Sequence, residues 1–192
     1  MYHWKELYDR CMTCQKCGLS KTRNNVVFGE GNLHADLMFI GEGPGADEDR
    51  TGRPFVGRAG QLLEKGLEAL GVSRDEVYIA NIVKCRPPNN RVPEDAEGEA
   101  CVDWLRNQVA LIRPKIIVCL GSTSLKWVVA KDARITKIRG EWIEKNGVFI
   151  MPTYHPAALL RDESKKMPFW HDLKKAIKKY KELCNESPGT VL

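Results

Sequence analysis

The sequence predicts a single-domain α/β protein with a central, mostly parallel β-sheet and helices on both faces. Three observations lead there. Short apolar runs that read as buried strands, Leu37-Met38-Phe39-Ile40 above all, alternate with longer stretches of helical periodicity. At 192 residues the chain can bury one substantial core. No linker-like, low-complexity or repeated stretch divides residues 1–192.

A first helix is expected near residues 2–10, ahead of a cysteine-bearing loop. Strands follow at 36–40, 77–83 and 115–120. A hairpin at 142–154 turns on Asn146-Gly147, a pair suited to left-handed turn conformations. Helices are expected between them at 59–70, at 93–112 with Pro93 in the first turn, and at 122–129. The last helix, 168–184, keeps Trp170, Leu173, Ile177, Tyr180 and Cys184 on one apolar face. Cys184 therefore reads as a core thiol, as does Cys119 within Ile116-Ile117-Val118-Cys119-Leu120. The lysines between 165 and 181 read as the solvated face of a terminal helix rather than a phosphate-binding strip.

Residues 41–60, GEGPGADEDRTGRPFVGRAG, are the most informative stretch. A strand running into a glycine loop is where open α/β sheets place their sites, because glycine lets backbone approach a ligand closely. Gly41-Glu42-Gly43-Pro44-Gly45-Ala46 fits the dinucleotide fingerprint in isolation. Its context does not: Asp47, Glu48 and Asp49 would repel a pyrophosphate, and Pro54 is expected to delay the next helix to about Arg58. There is no Gly-Lys-Ser/Thr, which excludes a nucleoside-triphosphate P-loop.

The chain has seven cysteines. Cys14 and Cys17 form a C-x2-C pair, and Cys85 and Cys101 lie mid-chain. Two close thiolates with two distant ones suit a four-thiolate site, zinc or iron–sulfur, with incidental buried thiols as the alternative. Cys11, at the same spacing before Cys14, competes as a ligand. An odd cysteine count and the absence of a signal peptide favour a reducing, intracellular setting over disulfides. The net charge of +5 permits a polyanionic partner. No transmembrane run is visible.

Taken in order, Cys14-x2-Cys17-x-Leu19-x3-Arg23, Val27-Phe28-Gly29-Glu30-Gly31-Asn32, the 41–60 stretch, Asn81-Ile82-Val83-Lys84-Cys85-Arg86-Pro87-Pro88-Asn89-Asn90-Arg91 and His155-Pro156-Ala157-Ala158-Leu159-Leu160-Arg161 cover nearly the whole chain. This set resembles the family-4 uracil-DNA glycosylases, the iron–sulfur type. The resemblance implies a [4Fe-4S] cluster on Cys14, Cys17, Cys85 and Cys101. It also implies a monomeric, cytoplasmic prokaryotic repair enzyme acting on uracil-containing DNA, with no membrane partner.

Such an enzyme must extrude one nucleotide and hold it in a fitted pocket. Phe55 is the expected stacking platform, worth about 1–3 kcal/mol per base, with an ordinary core aromatic as the alternative. The amide of Asn81 can accept from uracil N3–H and donate to O4, a pattern cytosine reverses. Gly41, Glu42 and Gly43 are expected to line the base through their backbone. His155 is the expected donor to uracil O2 as charge develops there. Glu42 and Glu48 are the candidates for orienting water, Glu42 favoured, while Asp47 and Asp49 read as solvated. The best-known uracil-DNA glycosylases carry Asp where this chain has Gly43. Leu159 is the expected wedge into the vacated stack, shared with Leu160 and Arg161.

Two other classes compete. A binder that traps uracil through a His in an inserted basic loop is disfavoured, because no His or insertion lies between Arg50 and Gly57. A redox or nucleotide-binding iron–sulfur protein would release no uracil from DNA.

Overall fold

Continuous apolar runs, whose successive side chains face opposite ways, build two cores, one on each face of a sheet. The computed structural model describes residues 3–185. Its helices are α1 (Trp4–Met12), α2 (Ala46–Thr51), α3 (Arg58–Ala69), α4 (Asp95–Ile112), α5 (Ser122–Val128), α6 (Ile135–Ile138), α7 (Pro156–Arg161) and α8 (Lys166–Asn185). Its strands are β1 (Glu30–Gly31), β2 (Leu37–Gly41), β3 (Tyr78–Asn81), β4 (Ile116–Leu120), β5 (Ile143–Lys145) and β6 (Val148–Thr153). They form one sheet in the order β1-β3-β2-β4-β6-β5. The four central strands run parallel, and β1 and β5 close the two edges antiparallel.

Met38, Ile40, Ala80, Ile117 and Cys119 point into the core shared with α1 and α4 through Leu7, Trp104 and Leu105. Leu37, Phe39, Ile79, Val118 and Met151 point the other way, onto Leu63 and Leu67 of α3 and Leu173 and Ile177 of α8. Burial on both faces explains why these strands are continuous apolar runs rather than alternating ones. The expected α/β class and two-sided cover are therefore observed.

Most expected elements form with shifted ends. Asn146 and Gly147 adopt φ of 53° and 77°, as a tight hairpin turn requires. Three expectations need correction. A six-residue helix, α2, opens at Ala46 directly after the glycine loop, so Pro54 does not delay helix formation to Arg58. Pro93 lies outside α4: Glu94 is the N-cap, and Glu97 reaches back to accept from its N–H at 2.8 Å. Cys184 is exposed, since the last turn of α8 runs beyond the sheet, whereas Cys119 is buried as expected.

The parallel strands end on one edge of the sheet. Gly41 pairs with Asn81, and Leu120 with Thr153. From β2 the chain crosses to β3 on one side, and β4 returns to the other, so the order reverses at β2. A crevice at the strand ends follows from that reversal.

Candidate active site

The four strand-end loops enclose a cleft of about 690 Å³. The loop after β2 supplies Glu42 and Gly43, β3 supplies Asn81, the turn after β4 supplies Gly121 and Thr123, and the segment after β6 supplies His155. Phe55, Glu48, Arg161 and Lys165 also line it.

Phe55 sits on the cleft wall with a left-handed backbone, φ 51°, which a bulky residue adopts only when held there. Arg74 holds it, donating to Phe55 O at 3.0 Å and to Pro54 O. Two glycines make room. A Cβ on Gly60 would lie 2.0 Å from the Phe55 carbonyl, and one on Gly41 would lie 2.5 Å from its ring. The ring lies 5.5 Å from the His155 imidazole, with planes 31° apart. Phe55 is thus 5 % exposed, a core aromatic and a cleft wall at once.

Asn81 is buried at the end of β3, and its Oδ1 has no hydrogen-bond partner. A buried, unpaired acceptor is costly, by about 1–3 kcal/mol, unless a ligand completes it. Its backbone oxygen accepts from the buried Lys84 Nζ at 3.0 Å, which fixes the end of the strand.

His155 is the N-cap of α7, its Nδ1 accepting from Ala157 N at 3.1 Å. Burial, aided by the charge of Arg161, pushes its pKa down to about 4. The ring is neutral at pH 7, and with Nδ1 acting as acceptor its proton sits on Nε2. A neutral imidazole can donate from Nε2 to a developing anion.

The two carboxylates differ. Glu48 accepts from Gly45 N at 3.1 Å, Val56 N at 2.9 Å and Gly57 N at 2.8 Å. It braces the loop across α2 while also lining the cleft. Glu42 accepts, among the described residues, at Oε2 alone, from Thr123 Oγ1. Asp49 is not solvated but buried, accepting from Asn24 N at 2.9 Å and Asn25 N at 3.3 Å.

Leu159, expected to be the wedge, is 2 % exposed and packs in the core beneath α7 rather than projecting from the surface. Leu160, 43 % exposed, and Arg161 face outward instead. The phase of a six-residue helix decides this, and the sequence motif alone does not reveal it.

Cys11, Cys14, Cys17, Cys85 and Cys101 line a second, small cavity with Arg23, Lys84 and Trp104. The Arg23 guanidinium donates to Cys85 Sγ at 3.3 Å and to Cys14 O at 2.7 Å; Lys84 N donates to Cys101 Sγ at 3.2 Å. Among the described residues, no group of three or more His, Cys, Asp or Glu side chains converges closely enough to hold a single metal ion. Thr123 and Arg74 were not anticipated. Thr123 was findable, since Gly121-Ser122-Thr123 follows an apolar strand just as Glu42 does.

A cleft at the reversal point of a parallel sheet, walled by Phe55, Asn81 and His155, defines the class. The chain belongs to the uracil DNA glycosylase superfamily, whose family model matches residues 28–174. Within it, the chain belongs with the type-4 enzymes. It is 48 % identical to the type-4 uracil-DNA glycosylase of Thermotoga maritima, covering 87 % of this chain and 90 % of the relative. The type-4 enzyme of Saccharolobus solfataricus is 45 % identical over 95 % of this chain and 87 % of its own length. That of Archaeoglobus fulgidus is 41 % identical over 97 % and 96 %. No helix among the described residues is long and apolar enough to cross a membrane.

Proposed function

We propose that this chain is a DNA-repair hydrolase that extrudes uracil from DNA and breaks its N-glycosidic bond, leaving an abasic site. The observation that carries the reading is the unpaired acceptor of Asn81 in the cleft. Uracil N3–H completes it, and uracil O4 accepts from the same amide. Cytosine offers an acceptor and a donor at those two positions and leaves both protein groups unpaired. Phe55 stacks on the extruded base, and Gly41, Glu42 and Gly43 line it.

Glu42 orients the attacking water and takes its proton as the oxygen bonds to the sugar C1′, while the C1′–N1 electron pair leaves with uracil as its anion. The carboxylate also supports the cationic sugar. His155 Nε2–H donates to uracil O2, where the departing charge concentrates. Leu160 and Arg161 sit on the rim where duplex DNA would lie. The reading takes uracil-containing DNA as partner and the protein as an intracellular monomer.

The cysteine cavity suits a [4Fe-4S] cluster held by Cys14, Cys17, Cys85 and Cys101. Support comes from the all-thiol donor set and from N–H groups already aimed at Cys85 and Cys101, which stabilise thiolate sulfur. Cys11 is fully buried one helical turn after Leu7 and packs as core. When bound, the cluster serves as a rigid cross-link; Cys85 leads directly into the segment whose Pro87, Asn90 and Arg91 line the cleft.

Single-turnover release of uracil from oligonucleotides tests the reading. Wild-type protein is expected to release uracil and leave thymine and cytosine. His155→Ala is expected to lose roughly 10²–10³ in rate with little change in DNA affinity, and Asn81→Asp is expected to be markedly slower. No uracil release by the wild type, or an Asn81→Asp variant at full speed, overturns it.

A further inference from the structure

We propose that Thr123 is the positioning residue for Glu42, aiming the carboxylate so that its free oxygen presents the attacking water. The inference rests on the reading of Glu42 as the water-orienting group. Glu42 follows β2 on a glycine-rich loop, and a Glu side chain there has several rotamers of similar energy. One donor fixes it: Thr123 Oγ1 bonds Oε2, while Oε1 has no hydrogen-bond partner among the described residues. A carboxylate pinned at one oxygen and open at the other, on the wall of a cleft, is arranged to hold a water.

Thr123 is well suited to the task. Its branched Cβ restricts χ1, so the hydroxyl points in few directions. Its backbone is set by the turn between β4 and α5. Gly121, at φ 91°, brings that turn so close that a Cβ there would lie 2.9 Å from His155 Cβ. The buried Ser124 hydroxyl donates back to Gly121 O at 3.0 Å. One turn therefore abuts His155 on one side and grips Glu42 on the other, fixing two groups that line the same cleft relative to each other. Positioning at this level is worth large factors in rate, because reacting atoms must lie within about 3–3.5 Å in the right direction.

The experiment compares Thr123→Val, Thr123→Ala and Thr123→Ser, each alone and with Glu42→Gln. It measures single-turnover rate, affinity for uncleavable uracil-analogue DNA, and thermal midpoint. Losing the hydroxyl in Val or Ala is expected to slow cleavage roughly ten- to a hundredfold, as for a hydrogen bond to a charged group, with affinity and midpoint near wild type. Thr123→Ser is expected to recover most of the rate. In the Glu42→Gln background the Val and Ala changes are expected to add little, because both substitutions act on one interaction. A wild-type rate in Val and Ala, or an equal loss with Glu42→Gln already present, overturns the inference. A Glu42→Gln variant at full rate instead overturns the reading of Glu42 beneath it. If Val proves unstable, Ala and Ser carry the same comparison.

Discussion

A histidine with one ring nitrogen committed to a helix N-terminus has little freedom in how it titrates. For His155 the folded pKa is near 4, below the ordinary value of 6.5, because burial and then Arg161 disfavour the cation. As pH falls below 6.5 the unfolded chain takes up the proton first, so the stability linked to this group is full above that pH and is lost on the way down to about 4. We predict that wild type loses stability between pH 6.5 and 4 that His155→Asn retains, read from denaturant midpoints. A His155 ring resonance titrating at 6.5 would sink the argument. The placement of Asn81 and His155 in the cleft was legible in the sequence because one ends an apolar strand and the other follows one closely. The role of Glu48 was not, since its three partners are backbone N–H groups, which leave no mark in a sequence. Thr123 and Glu42 escaped pairing because they meet only through the parallel alignment of β2 and β4.

At the scale of elements, long apolar stripes were readable and short ones were not. Helices α3, α4 and α8 announce themselves by periodicity, whereas α2, α6 and α7 are too short to show a period. That gap is why the sequence did not show that Leu159 is buried and Leu160 exposed. Leu159→Ala is expected to lower stability by about 2–5 kcal/mol, as a buried truncation does. Leu160→Ala is expected to stay within about 0.5 kcal/mol of wild type while weakening binding to duplex DNA and sparing single strands. Denaturation beside equilibrium affinity distinguishes them; a Leu160→Ala variant that binds duplex like wild type removes that leucine from the DNA face.

Across the whole molecule, Lys84 joins the cysteine cavity to the cleft. Its backbone N–H reaches Cys101 Sγ, and its buried ammonium reaches Asn81 O and, at 2.7 Å, Gln108 Oε1. Stripping iron from the purified protein is therefore expected to bleach its visible absorbance, lower the thermal midpoint and speed hydrogen exchange around Asn81. A protein whose stability and exchange at Asn81 are indifferent to iron removal would show the two sites to be uncoupled. The cavity was legible as a cysteine pattern, but the coupling was not, because a lysine in a strand-end sequence gives no hint of full burial.

Both margins of the sheet are also very short strands, and each carries a charged residue at one end. On one side Glu30 of β1 is clasped by Arg53 at 2.6 and 2.7 Å; on the other, Lys145 of β5 folds over to donate to Val128 O and Val129 O at 3.0 and 3.1 Å. The unsatisfied backbone that a parallel core would otherwise offer to a neighbouring chain is thereby reduced to a few residues beside buttressed charges. Among the described residues, copies of this protein meeting at high concentration or during heating find only these short edges along which to add strand to strand. The sheet that builds the cleft is in this way kept from templating its own aggregation.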